Sequence, residues 1–125
     1  MSSTSTFDEV LRRMESIRQE INSAVDDTLE TVATETVGNI QTITPVDTGA
    51  LRRSMTHSGV VNNGTSRSVK IGSALEYAPY VEDGHMQGST YVPGRHMIRD
   101  SLTVAQYELE NKVSNAINEI FDRYR

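Results

Sequence analysis

The stretch FDEVLRRMESIRQEINSAVDDTLETVATETVGNIQTI, residues 7–43, decides the fold. Its apolar residues recur at Phe7, Val10, Leu11, Met14, Ile17, Ile21, Ala24, Val25, Leu29, Val32, Val37, Ile40 and Ile43. Spacing of three and four throughout predicts one long amphipathic helix. Thr6 followed by Glu9 reads as a capping box at its start, and Pro45 closes its end, since the residue before a proline is pushed out of helical backbone. Unbroken, such a helix runs about 55 Å at 1.5 Å per residue, while a compact chain of 125 residues is about 35 Å across. Either the helix breaks, near Asp26-Asp27-Thr28 or Gly38-Asn39, or its apolar stripe overhangs and packs on another subunit.

Working outward, Val46-Asp47-Thr48-Gly49-Ala50-Leu51-Arg52 reads as a second helix start, with Asp47 as N-cap and Val46 and Leu51 at staple positions. Next, 54–61 and 66–73 flank Asn62-Asn63-Gly64-Thr65, the strongest hairpin signal in the chain. Register follows from loop parity. A two-residue Asn63-Gly64 loop sets Val69 and Ile71 opposite Ser58 and Thr56, whereas an odd loop, the preferred reading, gathers Met55, His57, Val69 and Ile71 on one face. A lone hairpin is marginal, so that face is expected to cover the long helix or gain a third strand near Tyr91-Val92.

Ala78 to Asp83 predicts a short helix, with Pro79 in its first turn and Gly84 as terminator. A glycine-rich mobile loop is expected from Gly84 to Gly94. Met97, Ile98, Leu102, Ala105, Leu109, Val113, Ala116, Ile117, Ile120, Phe121 and Tyr124 again show helical spacing. The order helix, hairpin, helix defines an α+β chain. It is read as one domain over 7–125 behind a Ser/Thr-rich leader, 1–6, that is disordered or extended.

Composition narrows the function. The apolar set counted with glycine comes to about 38% of the chain, below the roughly 45–50% of typical domains, so the core is expected to be thin and subunit contacts to supply part of the burial. There are 12 Lys and Arg against 17 Asp and Glu, a net charge of -5. Residues 1–43 carry 3 basic and 8 acidic groups, 44–99 carry 6 and 4, and 100–125 carry 3 and 5. Acidic flanks argue against duplex or membrane binding as the main task, because phosphate contacts need clustered Lys and Arg. With no cysteine, disulfide and thiolate chemistry are excluded. Neither a secretory signal nor an apolar run long enough to span a bilayer is visible.

Several patterns suggest chemistry. Asp47-Thr48-Gly49-Ala50 matches the surroundings of the catalytic carboxylate in aspartic proteases, where two subunits each supply one Asp and share a proton. That chemistry needs a β framework, and here the motif follows a long helix, so capping is the preferred reading. His57, His85 and His96 with Glu82 or Asp83 lack metal-ligand spacing. No nucleophile elbow supports a Ser/His/Asp triad, and Gly84, Gly88 and Gly94 lack the Lys-Ser/Thr ending of a phosphate loop. Tyr77, Tyr80 and Tyr91 with Arg95 and Arg99 allow stacking on single-stranded nucleic acid. The same residue types dominate protein interfaces, which is the preferred reading in an acidic chain. No cofactor or metal is expected.

Three blocks carry a resemblance: Thr44-Pro45-Val46-Asp47-Thr48-Gly49-Ala50-Leu51-Arg52-Arg53-Ser54, then Tyr77-Ala78-Pro79-Tyr80-Val81-Glu82-Asp83-Gly84, then Pro93 to Leu102. In that order and spacing the chain resembles the tail-completion, or head-to-tail joining, proteins of tailed bacteriophages and prophages. It departs from their pattern at Asp83-Gly84-His85, where members often have Phe-Gly-Thr after the Glu, and at His96-Met97, where they often have Pro-Phe.

The resemblance implies a structural virion protein without catalytic activity, assembled in the host cytoplasm. It would form a homo-oligomeric ring, sixfold by analogy, in the neck between a head-completion protein and tail terminator or tube proteins, with DNA passing through without specific binding. On the same footing Val46, Asp47, Thr48, Gly49, Leu51 and Arg52 form a structural hinge. Tyr77, Tyr80, Val81, Glu82, Gly84, Tyr91 and Arg95 form a subunit or partner interface. The alternatives are a homodimeric aspartic protease using Asp47 and a single-strand-binding module.

Overall fold

The computed structural model describes residues 3–45, 49–75 and 78–124. Helix α1, Ser3–Ile43, is unbroken over 41 residues, about 60 Å at the α-helical rise. It starts before Thr6, so Thr6 is not its N-cap, and residues 3–6 are helical rather than extended. Neither expected break occurs, and side-chain contacts occupy the first. Thr28 turns its hydroxyl onto the Ala24 carbonyl at 2.7 Å, and Asp26 pairs with Arg67 of the hairpin at 2.6 Å. Thr44 closes the helix, its amide (2.9 Å) and hydroxyl (2.6 Å) both donating to the Ile40 carbonyl.

The length is resolved by overhang. Helix α4, Met97–Arg123, lies antiparallel to α1: Lys112 meets Glu35 at 3.0 Å, Arg123 meets Glu20 at 3.3 Å, and Arg13 donates to the Tyr124 carbonyl at 2.7 Å. Beyond that point α1 runs on without a partner helix among the described residues. Phe7, Val10, Leu11 and Met14 are 62%, 51%, 48% and 61% exposed. The chain's total surface of 8682 Å² exceeds the roughly 6,700 Å² expected of a compact chain of this mass.

Helix α2, Gly49–Ser54, leads into strands β1, Thr56–His57, and β2, Val61–Asn62. These return as β3, Arg67–Ser68, and β4, Ile71–Gly72. The hairpin changes register along its length. At its base Thr56 faces Gly72 and His57 faces Ile71, the odd-loop register, with Met55 buried nearby. Toward the tip Val61 faces Ser68 and Asn62 faces Arg67, which needs an even loop. Three residues, Ser58 to Val60, therefore stand against two, Val69 and Lys70, and the extra residue acts as a bulge that adds local twist.

The turn itself is Gly64-Thr65, not Asn63-Gly64: the Asn63 amide donates to the Ser66 carbonyl at 2.9 Å, and Asn62 Oδ1 accepts the Gly64 amide at 2.8 Å. The base of the hairpin packs on α1, where His57 Nε2 lies 3.1 Å from Thr34 Oγ1. No third strand joins it among the described residues. Tyr91 and Val92 instead lie in strand β6, Thr90–Pro93, which pairs with β5, Gly84–Gln87, in an antiparallel arm. The expected loop is thus a hairpin, linked to the core by helix α3, Ala78–Asp83.

The core lies where these elements converge. Ile40 of α1, Leu51 of α2, Met55, Ala78 of α3 and Met97 of α4 form the buried cluster, with Val37, Ile71, Leu75, Val81 and Ile98 against it. Each large side chain there contributes about 1.5–3 kcal/mol by leaving water. The cluster is small and sits at one end of the α1–α4 pair; away from it the helix seam and the hairpin tip, through Arg67 and Asp26, hold the chain.

Candidate functional site

Helix α4 starts on His96, whose backbone is left-handed (φ 50) and whose side chain caps nothing. The first amides of a helix need acceptors, and here they come from another element. The Glu82 carboxylate accepts the Ile98 amide at 2.8 Å and the Arg99 amide at 2.9 Å. A carboxylate at this position also opposes the positive end of the helix dipole. Two backbone bonds complete the clamp: Arg95 N–H to the Val81 carbonyl at 2.7 Å and His96 N–H to the Glu82 carbonyl at 3.0 Å. The Tyr80-Val81-Glu82 turn thus fixes both where α4 begins and the root of the arm.

Two glycines permit that closeness. Gly84 has φ +92, and a Cβ there would come within 2.8 Å of the Gly94 amide nitrogen and the Val92 carbonyl oxygen. Tyr91 folds over this crossing, its hydroxyl donating to the Asp83 carbonyl at 3.3 Å. From the root, register pairs His85 with Val92, Met86 with Tyr91 and Gln87 with Thr90. Gly88, at φ +64, opens the two-residue turn with Ser89, and Ser89 does not share its positive φ. That combination is a type II′ hairpin turn, which suits the right-handed twist of the strands.

One face of the arm carries Met86 and Tyr91 as cross-strand neighbours, and Tyr80 stands beside the root with its ring edge-on to His85 at 6.1 Å. Met86, Tyr91 and Tyr80 are all more than half exposed. From Gly84 to Gly94 the chain contains no Asp, Glu, Lys or Arg. An uncharged, rigidly rooted arm topped by aromatic and methionine side chains is suited to docking on another protein surface.

Of the expected interface residues, the structure brings Tyr80, Val81, Glu82, Gly84 and Tyr91 together, with Arg95 exposed at the junction to α4. Tyr77 lies outside the described residues, as do Val46, Asp47 and Thr48 of the expected hinge. Of the rest, Gly49 opens α2, Leu51 is fully buried, and Arg52 ties α2 back to α1. Its guanidinium donates to the Thr44 carbonyl at 2.6 Å, and its own carbonyl accepts from Gln41 Nε2 at 3.2 Å. His57, His85 and His96 are spread over the main hairpin, the arm and the start of α4. Among the described residues no group of His, Cys, Asp and Glu could hold a metal ion. Nor is any described helix long and apolar enough to cross a membrane. Two contacts escaped the sequence reading, the capping of α4 by Glu82 and the packing of Gly94 on the α3–β5 junction. The one available signal was negative: no Ser, Thr, Asp or Asn stands before Met97 to cap its own helix.

The chain is an α+β frame of two long helices clasping small hairpins, with an arm whose Met86 and Tyr91 are exposed, a surface suited to contacting other proteins. Comparison agrees: residues 8–84 match the bacteriophage HK97-gp10-like family of tail components, and the chain belongs to that family. The match runs from the second turn of α1 to the first residue of the arm. No curated protein and no solved structure matches the chain.

Proposed function

We propose that this phage tail component is a neck subunit that completes the tail and joins it to the DNA-filled head. The observation that carries the reading is the arm on its Glu82 clamp: an uncharged apolar surface held at a fixed angle suits a subunit-to-subunit or subunit-to-partner joint. In this reading copies of the chain form a ring, sixfold by analogy with similar proteins. It docks on a head-completion protein on one side and on tail terminator or tube proteins on the other, through Tyr80, Met86, Tyr91 and Arg95. The acidic balance of α1 and α4 suits a conduit wall that repels passing DNA rather than holding it. Assembly would take place in the host cytoplasm and the product would reside in the virion, with no catalytic step.

The test is electron microscopy of lysates from a producing strain lacking this gene. DNA-filled heads accumulating apart from finished or overlong tails support the joining role. Normally joined particles overturn it.

A further inference from the structure

The free end of α1 carries a second surface, distinct from the arm. The geometry points to tip-to-tip pairing of two copies of this chain in solution, antiparallel through residues 6–18 of α1.

Four observations carry this. First, Phe7, Val10 and Met14 continue, at spacings of three and four, the seam that Ile17 and Ile21 begin beside Phe121 of α4. The covered part of the seam stops where α4 ends, and the uncovered part is about half exposed or more. Second, the tip presents four large apolar side chains to water, Phe7, Val10, Leu11 and Met14, whose burial against a cover is favourable. Third, the chain as a whole exposes about 2,000 Å² more than a compact chain of its mass, and the bare tip is part of that excess.

The fourth is charge, which selects the occupant and its direction. Residues 3–18 hold three acidic groups (Asp8, Glu9, Glu15) and three basic ones (Arg12, Arg13, Arg18), a neutral balance. Residues 19–43 hold five acidic groups and no basic one. A parallel pair would set the acidic halves side by side. An antiparallel pair overlaps only the neutral tips and sends the acidic halves apart, so a second copy fits where a parallel arrangement would be repelled. The shallow apolar groove of Met14, Ile17, Ile21 and Phe121 beside each tip receives the partner's Phe7. The contact is isologous and closes at two. It does not depend on the neck reading, since a cyclic ring needs a different, head-to-tail contact.

Analytical ultracentrifugation of the purified full chain tests it. The wild type is expected at twice its 13.9 kDa mass. Leu11→Lys with Met14→Lys, both at exposed positions, is expected to raise the dimer dissociation constant at least about 100-fold. A monomeric wild type at about 100 μM, or an oligomer unmoved by the two lysines, overturns the proposal. Because the chain has no cysteine, single variants report direction even if the lysine variant folds poorly. Leu11→Cys, near the two-fold axis, is expected to cross-link to itself on oxidation and Asn39→Cys is not. Cross-linking at both positions means parallel pairing, and at neither means no tip contact; either result overturns it.

Discussion

Gly84 and Gly94 lie back to back at the root of the arm, each where the other leaves no room for a side chain: a methyl on Gly94 would come within 2.6 Å of the Gly84 nitrogen. Apart from the Tyr91 hydroxyl over Gly84, which can move, the obstructing atoms are backbone on both sides, so neither neighbour can swing away. Gly84→Ala adds a left-handed backbone to the clash and is expected to cost about 2–3 kcal/mol. Gly94→Ala is expected to cost a similar amount. Thermal unfolding of each variant checks this, with Gly88→Ala as contrast: its Cβ meets no atom within 4 Å, so only the φ penalty of about 1 kcal/mol remains.

Glu82 caps a helix that begins 15 residues after it. Glu82→Ala removes both acceptors of the Ile98 and Arg99 amides and is expected to destabilise the chain by about 1–2 kcal/mol. Glu82→Gln keeps one good acceptor without the charge, and about half the loss is expected. Amide exchange at Ile98 and Arg99 should rise in the alanine variant ahead of exchange in the middle of α4. Equal stability of all three proteins would refute the capping role.

Arg67 reaches from the main hairpin to Asp26 of α1 at 2.6 Å, with its side chain only 14% exposed. Partial burial makes this pair worth more than a surface one, though screening still limits it. Arg67→Ala is expected to cost about 0.5–1 kcal/mol, because Asp26, 41% exposed, is rehydrated once the pair is lost. Hydrogen exchange at Asn62 and Ser68 should quicken while that of Ile40 stays slow, since the core lies at the other end of the hairpin.

The limits of sequence reading here have physical causes. Apolar spacing located α1 and α4, and Gly84 and Pro79 bounded α3, because periodicity, φ restriction and a missing amide act over a few residues. The continuity of α1 was open in sequence: Asp26-Asp27-Thr28 resembles a break until Arg67, 41 residues on, takes up Asp26. The bulge after Ser58 was hidden because parity arguments assume a constant register. In sequence Gly84, Gly88 and Gly94 look like the flexibility of a loop, whereas two of them serve close packing and one a tight turn. For the candidate site, the Tyr80-Val81-Glu82 and Gly84 positions were legible from resemblance, but the task of Glu82 was not, since its partners are distant in sequence.

Glu15 accepts from Arg18 Nε at 3.0 Å on the exposed tip of α1. The hydrogen bond from Arg18 holds its carboxyl below the ordinary value of 4.5. A lowered folded-state pKa stabilises the ionised helix above 4.5 and loses that contribution as pH falls through the lowered value. Tip helicity is therefore expected to be flat from pH 6 to 8 and to fall slightly in acid, by far-UV circular dichroism. Glu15→Gln should abolish that acid-dependent step without affecting unfolding of the core.

Arg52 bridges the end of α1 and helix α2. Its guanidinium donates to the Thr44 carbonyl at 2.6 Å and its carbonyl accepts from Gln41 at 3.2 Å. Leu51 beside it is fully buried, so the pair anchors α2 by one apolar and one polar contact. Arg52→Ala leaves the Thr44 carbonyl at the helix end without its charged donor, and a loss of about 1.5–3 kcal/mol is expected. Arg52→Lys supplies a point charge in place of the planar fork and should recover part of it. Leu51→Ala is expected to cost about 2–5 kcal/mol through the cavity it opens. Because the two residues are neighbours, the double variant should lose less than the sum, which a double-mutant cycle in urea would measure. Full additivity would mean that Arg52 and Leu51 hold α2 independently.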